Sequence, residues 1–149
     1  MAKKEMAIWE DERIGVLRSL NLLDTAASED FDQFTRLAAY TFEVPTALIS
    51  LVDTDRQQFL SSIGFALRET SRATSICAVA IQQADLFEVE DLRRDPRFAD
   101  NPLVTGPPFI RFYAGVPLIT ESGHAIGALC LIDSRPRVLD DAARAQLKA

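Results

Sequence analysis

The sequence predicts a single α+β domain in which an antiparallel sheet packs against helices. Both ends of the chain show helical periodicity, whereas the middle holds short segments rich in β-branched residues. Two late segments are joined by the hairpin signal "ESG". A chain of 149 residues with 48% apolar and 26% charged residues fits one globular domain. A domain of this size buries enough surface to fold without a disulfide or a metal ion.

The first predicted helix covers residues 5–20. Its inner stripe consists of residues at helical spacing, namely Met6, Trp9, Arg13, Ile14, Leu17 and Leu20. Such a stripe suits a helix that lies against the domain or pairs with a second copy of the chain. We therefore divide the chain into an N-terminal helix, residues 1–22, as a candidate dimerisation helix, and a main domain, residues 23–149. If Trp9 is exposed, it belongs to the dimer contact.

A second helix is predicted to follow Ser28, which is a suitable N-cap. Acidic residues favoured by the helix dipole fill its first turn, namely Glu29, Asp30 and Asp32. Apolar residues line one of its faces, namely Phe31, Phe34, Leu37, Ala38 and Phe42. Pro45 ends the helix.

The strands follow in the middle of the chain. Residues 46–53 form a nearly continuous apolar run and predict a central strand covered on both faces. Residues 56–64 alternate in polarity and predict a half-exposed strand. Three further strands are predicted at residues 86–91, 109–120 and 124–133.

Two further segments favour helices. Residues 75–83 are ambiguous between a short helix and a strand, and Ser75 as a cap favours the helix. A last helix is predicted from about residue 139, with Asp140 or Asp141 as its cap. Its helical pattern continues to the last residue of the chain, so we expect the helix to be truncated.

Composition and charge argue against several classes of function. The chain has no apolar run of the roughly 20 residues that cross a membrane and no signal-peptide core, so a cytoplasmic, non-membrane protein is expected. A net charge of −6 without basic clusters argues against nucleic-acid binding. The two cysteines are expected to be reduced and interior. A single histidine excludes a histidine-rich zinc site, and a position in the hairpin turn predicts that His124 is exposed.

Proline and aromatic residues concentrate in the segment "DPRFADNPLVTGPPFIRFYAGVPL", residues 95–118. A surface loop would be more polar, and a strand would not tolerate so much proline. We therefore predict that residues 95–108 are the lid of a small pocket and that the strand after them forms one of its walls.

This segment and the later "GALCLID" resemble bacterial GAF sensor domains, and the resemblance extends over about residues 11–149. It implies a GAF/PAS-like sheet with helices on one face and a lid-covered pocket on the other. It also implies a non-enzymatic sensor that binds an unidentified small molecule and forms a homodimer. The terminal helices would pass the state of the pocket to an output domain such as a histidine kinase or a diguanylate cyclase.

The predicted ligand-binding residues come from the lid and its surroundings. Three of them are expected over the ligand, namely Phe98, Asn101 and Phe109. Two more would be polar selectors, namely Asp91 and Arg94, and the set is completed by Phe112 and Cys77. A second interpretation stays open, in which the rings fill the pocket themselves and the domain is a ligand-free dimerisation module.

The positions of the two cysteines distinguish between subfamilies of GAF domains. Relatives often have a histidine two residues after the first cysteine, but Val79 stands there, so Cys77 is expected to act as a small hydrophobe. Cys130 is expected in the core or the pocket wall. Covalent bilin binding is not expected, because the chain lacks a Cys-His pair and Arg97 stands where a second motif has cysteine.

Two other subfamilies, the free methionine sulfoxide reductases and the cyclic-nucleotide-binding domains, match the sequence less well. A redox enzyme of the free methionine sulfoxide reductase type is an alternative in which Cys77 matches one reactive cysteine. It is weakened because residues 95–118 contain no cysteine. The Asn-Lys-x-Phe-Asp-Glu signature of cyclic-nucleotide-binding relatives is missing, which removes support for a nucleotide without excluding one.

Overall fold

The computed structural model describes residues 3–24, 29–65, 67–83 and 85–148. Within these residues the chain forms one six-stranded sheet, in the order β3-β2-β1-β6-β5-β4, and every neighbouring pair is antiparallel. The strands are β1 Thr46–Val52, β2 Arg56–Ile63, β3 Glu69–Ser71, β4 Phe87–Val89, β5 Phe112–Ile119 and β6 Ala125–Asp133. The predicted α+β class with an antiparallel sheet is confirmed.

The same residues form five α-helices and two short 3₁₀ turns. The helices are α1 Lys3–Ser19, α2 Glu29–Phe42, α3 Cys77–Ala80, α4 Pro102–Thr105 and α5 Asp141–Lys148. The 3₁₀ turns are Arg72–Thr74, which we call the anchor turn, and Leu92–Arg94. The ambiguous segment around residue 77 is a helix, and Asp140 caps α5 by accepting a hydrogen bond from the Ala143 amide at 2.7 Å. Ser28, the predicted cap of α2, lies outside the described residues.

Four of the elements with only three or four residues were not predicted, namely β3, α4 and the two 3₁₀ turns. Such short segments carry too few residues for a hydrophobic period. Strand β5 also begins at Phe112 rather than at residue 109. Phe109 has a φ of 57°, in the left-handed region, which a strand does not accommodate.

Helices α2 and α5 cover one face of the sheet, which we call the helix-side face. Helix α2 packs through the small residues Ala38 and Ala39, and the Thr35 hydroxyl lies 2.9 Å from that of Ser61 on β2. Its larger apolar side chains lie beside this contact, so Phe34 and Leu37 remain 52% and 62% exposed.

Helix α3 and the chain between β4 and β5 cover the opposite, lid-side face. They pack there against residues of β1, β5 and β6, and the core of this layer includes Leu48, Val52, Cys77, Ala80, Leu92, Phe98, Val104, Tyr113, Cys130 and Ile132. The lid enters this core through Phe98 and Val104, which are almost fully buried. The sheet therefore has helices on one face and a lid on the other, as predicted.

Helix α1 lies against the ends of the central strands. Leu17 is fully buried, and the fully buried Arg13 donates hydrogen bonds to the carbonyl oxygens of Val52 at 2.6 Å and Ala125 at 3.4 Å. Trp9 is only partly buried and packs against the lid-side core. Of the helices in the described part of the chain, not one has the length and hydropathy needed to cross a bilayer.

Candidate functional site

Beneath the lid the structure leaves a cavity of about 10 Å³. It is lined by side chains of the sheet, α3 and the lid, namely Leu48, Gln57, Phe59, Phe65, Ile76, Cys77, Leu103, Ile110, Tyr113 and Ile132. A space of this size holds about one water molecule. Phe59, Phe65 and Leu103 are partly exposed and form the wall between the cavity and solvent. Side chains thus occupy most of the predicted pocket.

The floor of this cavity carries polar side chains on an otherwise apolar sheet face. Ser50 on β1 is fully buried, and its hydroxyl donates to Gln57 Oε1 on β2 at 2.8 Å. Gln57 Nε2 donates in turn to the Thr70 hydroxyl on β3, also at 2.8 Å. A chain of hydrogen bonds therefore crosses three neighbouring strands and satisfies these buried groups.

Two cysteines meet beside this floor. Cys77 on α3 and Cys130 on β6, which we call the sulfur pair, are both buried, and their Sγ atoms lie 3.0 Å apart. Tyr113 on β5 is also buried, and its hydroxyl donates to Cys77 Sγ at 3.0 Å and lies 3.1 Å from Cys130 Sγ. The expectation of interior cysteines agrees with this placement.

Burial and hydrogen bonding shift the pKa values of Tyr113, Cys130 and Cys77 in different directions. Burial and the neighbouring sulfurs raise the pKa of Tyr113 well above its usual value. Burial, and then the adjacent Cys77, raise the pKa of Cys130 in the same direction. Burial also acts to raise the pKa of Cys77, but hydrogen bonds, chiefly those with Cys130 and Tyr113, outweigh it and lower that pKa. Of the two thiols, Cys77 is therefore the one that loses its proton more readily.

Three of the seven predicted ligand-binding residues lie on the lid side. Cys77 lines the cavity. Phe98 packs in the core with its ring centroid 6.0 Å from that of Phe87. Asn101 accepts a hydrogen bond from the Leu103 amide at 2.9 Å as the N-cap of α4, and its Nδ2 donates to Thr74 O at 3.0 Å. Asn101 thus fastens the lid to the anchor turn.

The structure does not bring the other four together with them. Asp91 and Arg94 line an open outer groove of about 340 Å³, where Arg93 donates to the Asp91 carboxylate and lowers the pKa of that group. Phe109 points outward and is 46% exposed. Phe112 is fully buried in the helix-side core, so the sheet itself separates it from the cavity.

Tyr113 lines the cavity, although the sequence did not single it out as a site residue. It lies on the lid-side face because β5 alternates, with Phe112 and Ala114 on the helix-side face. Gly115, two residues further along the same face, leaves room for it. A Cβ at position 115 would lie 2.5 Å from the Tyr113 hydroxyl.

The anchor turn holds α1 as well as the lid. The Arg72 guanidinium donates two hydrogen bonds to the carboxylate of Glu10 on α1, one of them at 3.1 Å. It also donates to the Asp53 carbonyl at 3.1 Å. Arg13 donates to the same Glu10 carboxylate at 2.9 Å. Burial acts to raise the pKa of Glu10, but the hydrogen bonds from Arg72 and Arg13 outweigh it and lower that pKa to about 2.

Two further polar side chains, His124 and Asp53, lie at turns. His124 lies in the β5–β6 turn but is partly buried rather than exposed as predicted, with Nδ1 2.8 Å from the Ser122 hydroxyl. Asp53 follows β1 and pairs with Arg18 and Arg56. Among the described residues no group of three or more histidine, cysteine, aspartate or glutamate side chains is placed to hold a metal ion.

Comparisons with known proteins identify the fold and the family. A model of the GAF domain family matches residues 27–149. A cyclic di-GMP phosphodiesterase of Pseudomonas aeruginosa is 48% identical over 128 residues, which are 86% of this chain and 22% of that protein. The chain therefore spans about a fifth of the length of this relative.

Solved structures agree with this assignment. The GAF domain of a phosphoenolpyruvate-protein phosphotransferase from Acinetobacter gives a TM-score of 0.61 at 17% identity, over 90% of this chain and 84% of that one. A type II free methionine-R-sulfoxide reductase from Thermoplasma acidophilum gives 0.65 at 12% identity, over 80% and 82%. These two likenesses concern the fold alone. Because the family model matches most of the sequence, the chain belongs to the GAF domain family, whose members are typically sensory.

Proposed function

We propose that the chain is a non-enzymatic sensory domain that binds a small molecule beneath the lid and relays the state of the lid through its terminal helices. The observation that carries this proposal is the double role of the anchor turn. Thr74 accepts a hydrogen bond from Asn101 of the lid, and Arg72 donates to Glu10 of α1. A displacement of the lid therefore acts on the same three residues that hold α1.

Ligand entry requires the lid to move. Pockets for small molecules usually measure about 300–1,000 Å³, whereas this cavity measures about 10 Å³. A ligand that prefers an open lid 100-fold supplies about 2.7 kcal/mol. The two hydrogen bonds of the Asn101 side chain are worth about 0.5–1.5 kcal/mol each, about 1–3 kcal/mol together, so such a ligand offsets most of this cost.

The cavity chemistry favours a neutral ligand. Among the described residues that line it, none carries a formal charge. Gln57 and Tyr113 offer an amide and a hydroxyl, while the remaining lining is apolar apart from the Cys77 thiol. A compact, partly apolar molecule with one or two hydrogen-bonding groups fits this lining better than an anionic nucleotide does. Asp91 and Arg94 lie in the outer groove, apart from this cavity, and their role as selectors stays a prediction.

The signal would be passed to a separate output domain outside this chain. We infer a separate output domain, such as a histidine kinase or a diguanylate cyclase, or a cyclic di-GMP phosphodiesterase like the Pseudomonas aeruginosa relative. Homodimerisation through α1, α5 or both would bring two output domains together. The exposed side chain of Ile8 on α1, at 51%, supports a contact on the outer side of that helix.

Native mass spectrometry tests ligand binding. The protein is incubated with a bacterial metabolite extract, and its mass is measured in the native and the denatured state. We expect an added mass in the native state alone, and its loss in Leu103→Trp, because the larger ring fills the cavity. The matched control is Ile119→Trp on an exposed part of β5, which should retain the ligand. Equal binding by Leu103→Trp would contradict a site beneath the lid.

The small cavity also favours a second candidate, a ligand-free dimerisation module. In that case side chains fill the pocket permanently, and the lid-side face serves only as core. This candidate predicts a dimer without added mass under the same conditions. It also predicts that Leu103→Trp leaves the activity of an attached output domain unchanged, whereas the sensor predicts that this activity no longer responds to the extract.

A further inference from the structure

The sulfur pair has a geometry that packing alone does not require. Cys77 and Cys130 are 53 positions apart in the chain, yet their Sγ atoms lie 3.0 Å apart. Ordinary nonbonded contacts between carbon atoms have separations of about 3.5–4.0 Å. The two sulfurs need to approach by only about 1 Å to reach the length of a covalent S–S bond. The fold thus holds two thiols close to bonding distance.

We propose that Cys77 and Cys130 are a redox-active dithiol that a peroxide converts to an intramolecular disulfide between α3 and β6. This modification goes beyond the proposed binding of a ligand and needs no ligand. Helix α3 follows the anchor turn directly, and the Ser75 hydroxyl between them accepts from the Ala78 amide at 3.0 Å. A covalent bond at α3 therefore acts next to the residues that hold both the lid and α1.

Tyr113 acts as a positioning residue for this chemistry. Its hydroxyl donates to Cys77 Sγ at 3.0 Å, and a hydrogen bond of this kind stabilises the thiolate, which is the reactive form. The titratable groups that face Cys77 are Tyr113 from β5 and Cys130 from β6, while β1 contributes the neutral Ser50. Gly115 is needed here, because a side chain at that position would collide with the tyrosine.

The oxidation proceeds in two balanced steps. The Cys77 thiolate attacks one oxygen of hydrogen peroxide, the O–O bond breaks, and the departing hydroxide takes a proton to become water. Cys77 is then a sulfenic acid. The Cys130 sulfur attacks the Cys77 sulfur, the S–S bond forms and the S–O bond breaks. The hydroxyl group leaves with the Cys130 proton as a second water, so the thiol pair has given two electrons to the peroxide.

Cys77 borders the cavity beneath the lid, which gives the oxidant a place to react. The cavity holds about one water molecule, and a peroxide molecule is larger. Entry therefore requires outward movement of the wall formed by Phe59, Phe65 and Leu103. The closed wall thus shields the reactive sulfur, and even a small oxidant reaches it only when these side chains move outward.

The test uses the folded, reduced protein. After treatment with hydrogen peroxide it is denatured, alkylated with N-ethylmaleimide and weighed by mass spectrometry. We expect a species without adducts that has lost two hydrogen atoms, and its conversion to a doubly alkylated species by prior reduction. Recovery of two alkylated cysteines after peroxide, sulfinic acids without a disulfide, or a bond between two chains instead of within one would overturn the proposal.

Two variants separate reactivity from structure. In Cys130→Ser, peroxide should leave a sulfenic acid on Cys77 that dimedone traps. In Tyr113→Phe, disulfide formation at pH 7 should slow about tenfold, and the pH of half-maximal rate should rise, because the thiolate loses a donor. Circular dichroism establishes that both variants are folded. An unchanged pH profile in Tyr113→Phe would show that the tyrosine only packs against the sulfurs and would refute its positioning role.

Discussion

Replacing Glu10 with Gln is expected to destabilise the domain, because it removes the negative charge between Arg13 and Arg72. Burial acts to raise the pKa of Glu10, but hydrogen bonds from these guanidinium groups lower it from 4.5 to about 2. Such a change corresponds to about 3 kcal/mol. Water reaches this carboxylate, whose side chain is 23% exposed, so screening reduces the expected loss of unfolding free energy to about 1–2 kcal/mol.

The pH dependence of this loss has a definite sign. The folded-state pKa lies below the unfolded one, so the stabilisation is complete above about pH 5 and disappears as the pH falls towards 2. Urea unfolding at pH 7 and at pH 3.5 measures it, with Glu5→Gln on the exposed side of α1 as the control. The reasoning is refuted if Glu10→Gln matches the unsubstituted protein at pH 7, or if the difference does not shrink in acid.

Three further changes test the packing of the lid-side face. Gly115→Ala should lower the free energy of unfolding in urea by about 1–3 kcal/mol, because the added Cβ would meet the Tyr113 hydroxyl. The control is Gly15→Ala on α1, where a Cβ meets open space, and it should leave this free energy unchanged or raise it by up to about 1 kcal/mol. Asn101→Ala should lower the free energy of unfolding by about 1–2 kcal/mol and speed amide hydrogen exchange in α4, since it removes the helix cap and the hydrogen bond to Thr74. Unchanged amide exchange in α4 would contradict this role. Oxidation of the sulfur pair should raise Tm by about 10 °C in calorimetry, because closing this loop is worth up to about 4 kcal/mol; an equal Tm would argue against a native disulfide.

The long elements of this fold are predictable because their periods extend over many residues. The stripe of α1 and the apolar run of β1 predict both elements within a few residues of their observed bounds. The short β3 and the anchor turn carry no comparable signal. Helix α4 does carry one, since Asn101 followed by Pro102 is a favourable helix start, and its cap could have been predicted from the sequence.

The side of the sheet on which each β5 residue lies depends on an irregularity in strand pairing that the sequence does not reveal. The pairing of β5 with β6 shifts by one residue next to their turn. Without this shift Phe112 would lie opposite Ile132 and on the same face as Cys130. With it, Tyr113 takes that position. Because a slip of one residue turns every side chain to the other face, the sequence predicts the wrong aromatic residue beside the cavity.

The meeting of the two cysteines depends on tertiary structure. Strand alternation places Ala128, Cys130 and Ile132 on one face, as expected from the sequence. The position of Cys77 depends on how the short helix α3 crosses that face. No local pattern specifies such a crossing, so the distance between the sulfurs became known only from the fold.

The central claim, that the lid and α1 share one anchor, is tested most directly by a double-mutant cycle between Asn101→Ala and Glu10→Gln. The two side chains bond to different residues of the anchor turn, Thr74 and Arg72. Distant, independent sites are additive within about 0.3–0.5 kcal/mol. The shared anchor predicts an interaction energy of about 1 kcal/mol in urea unfolding, with the second substitution costing less once the first is present. Strict additivity would mean that the lid and α1 are held independently and would contradict the relay.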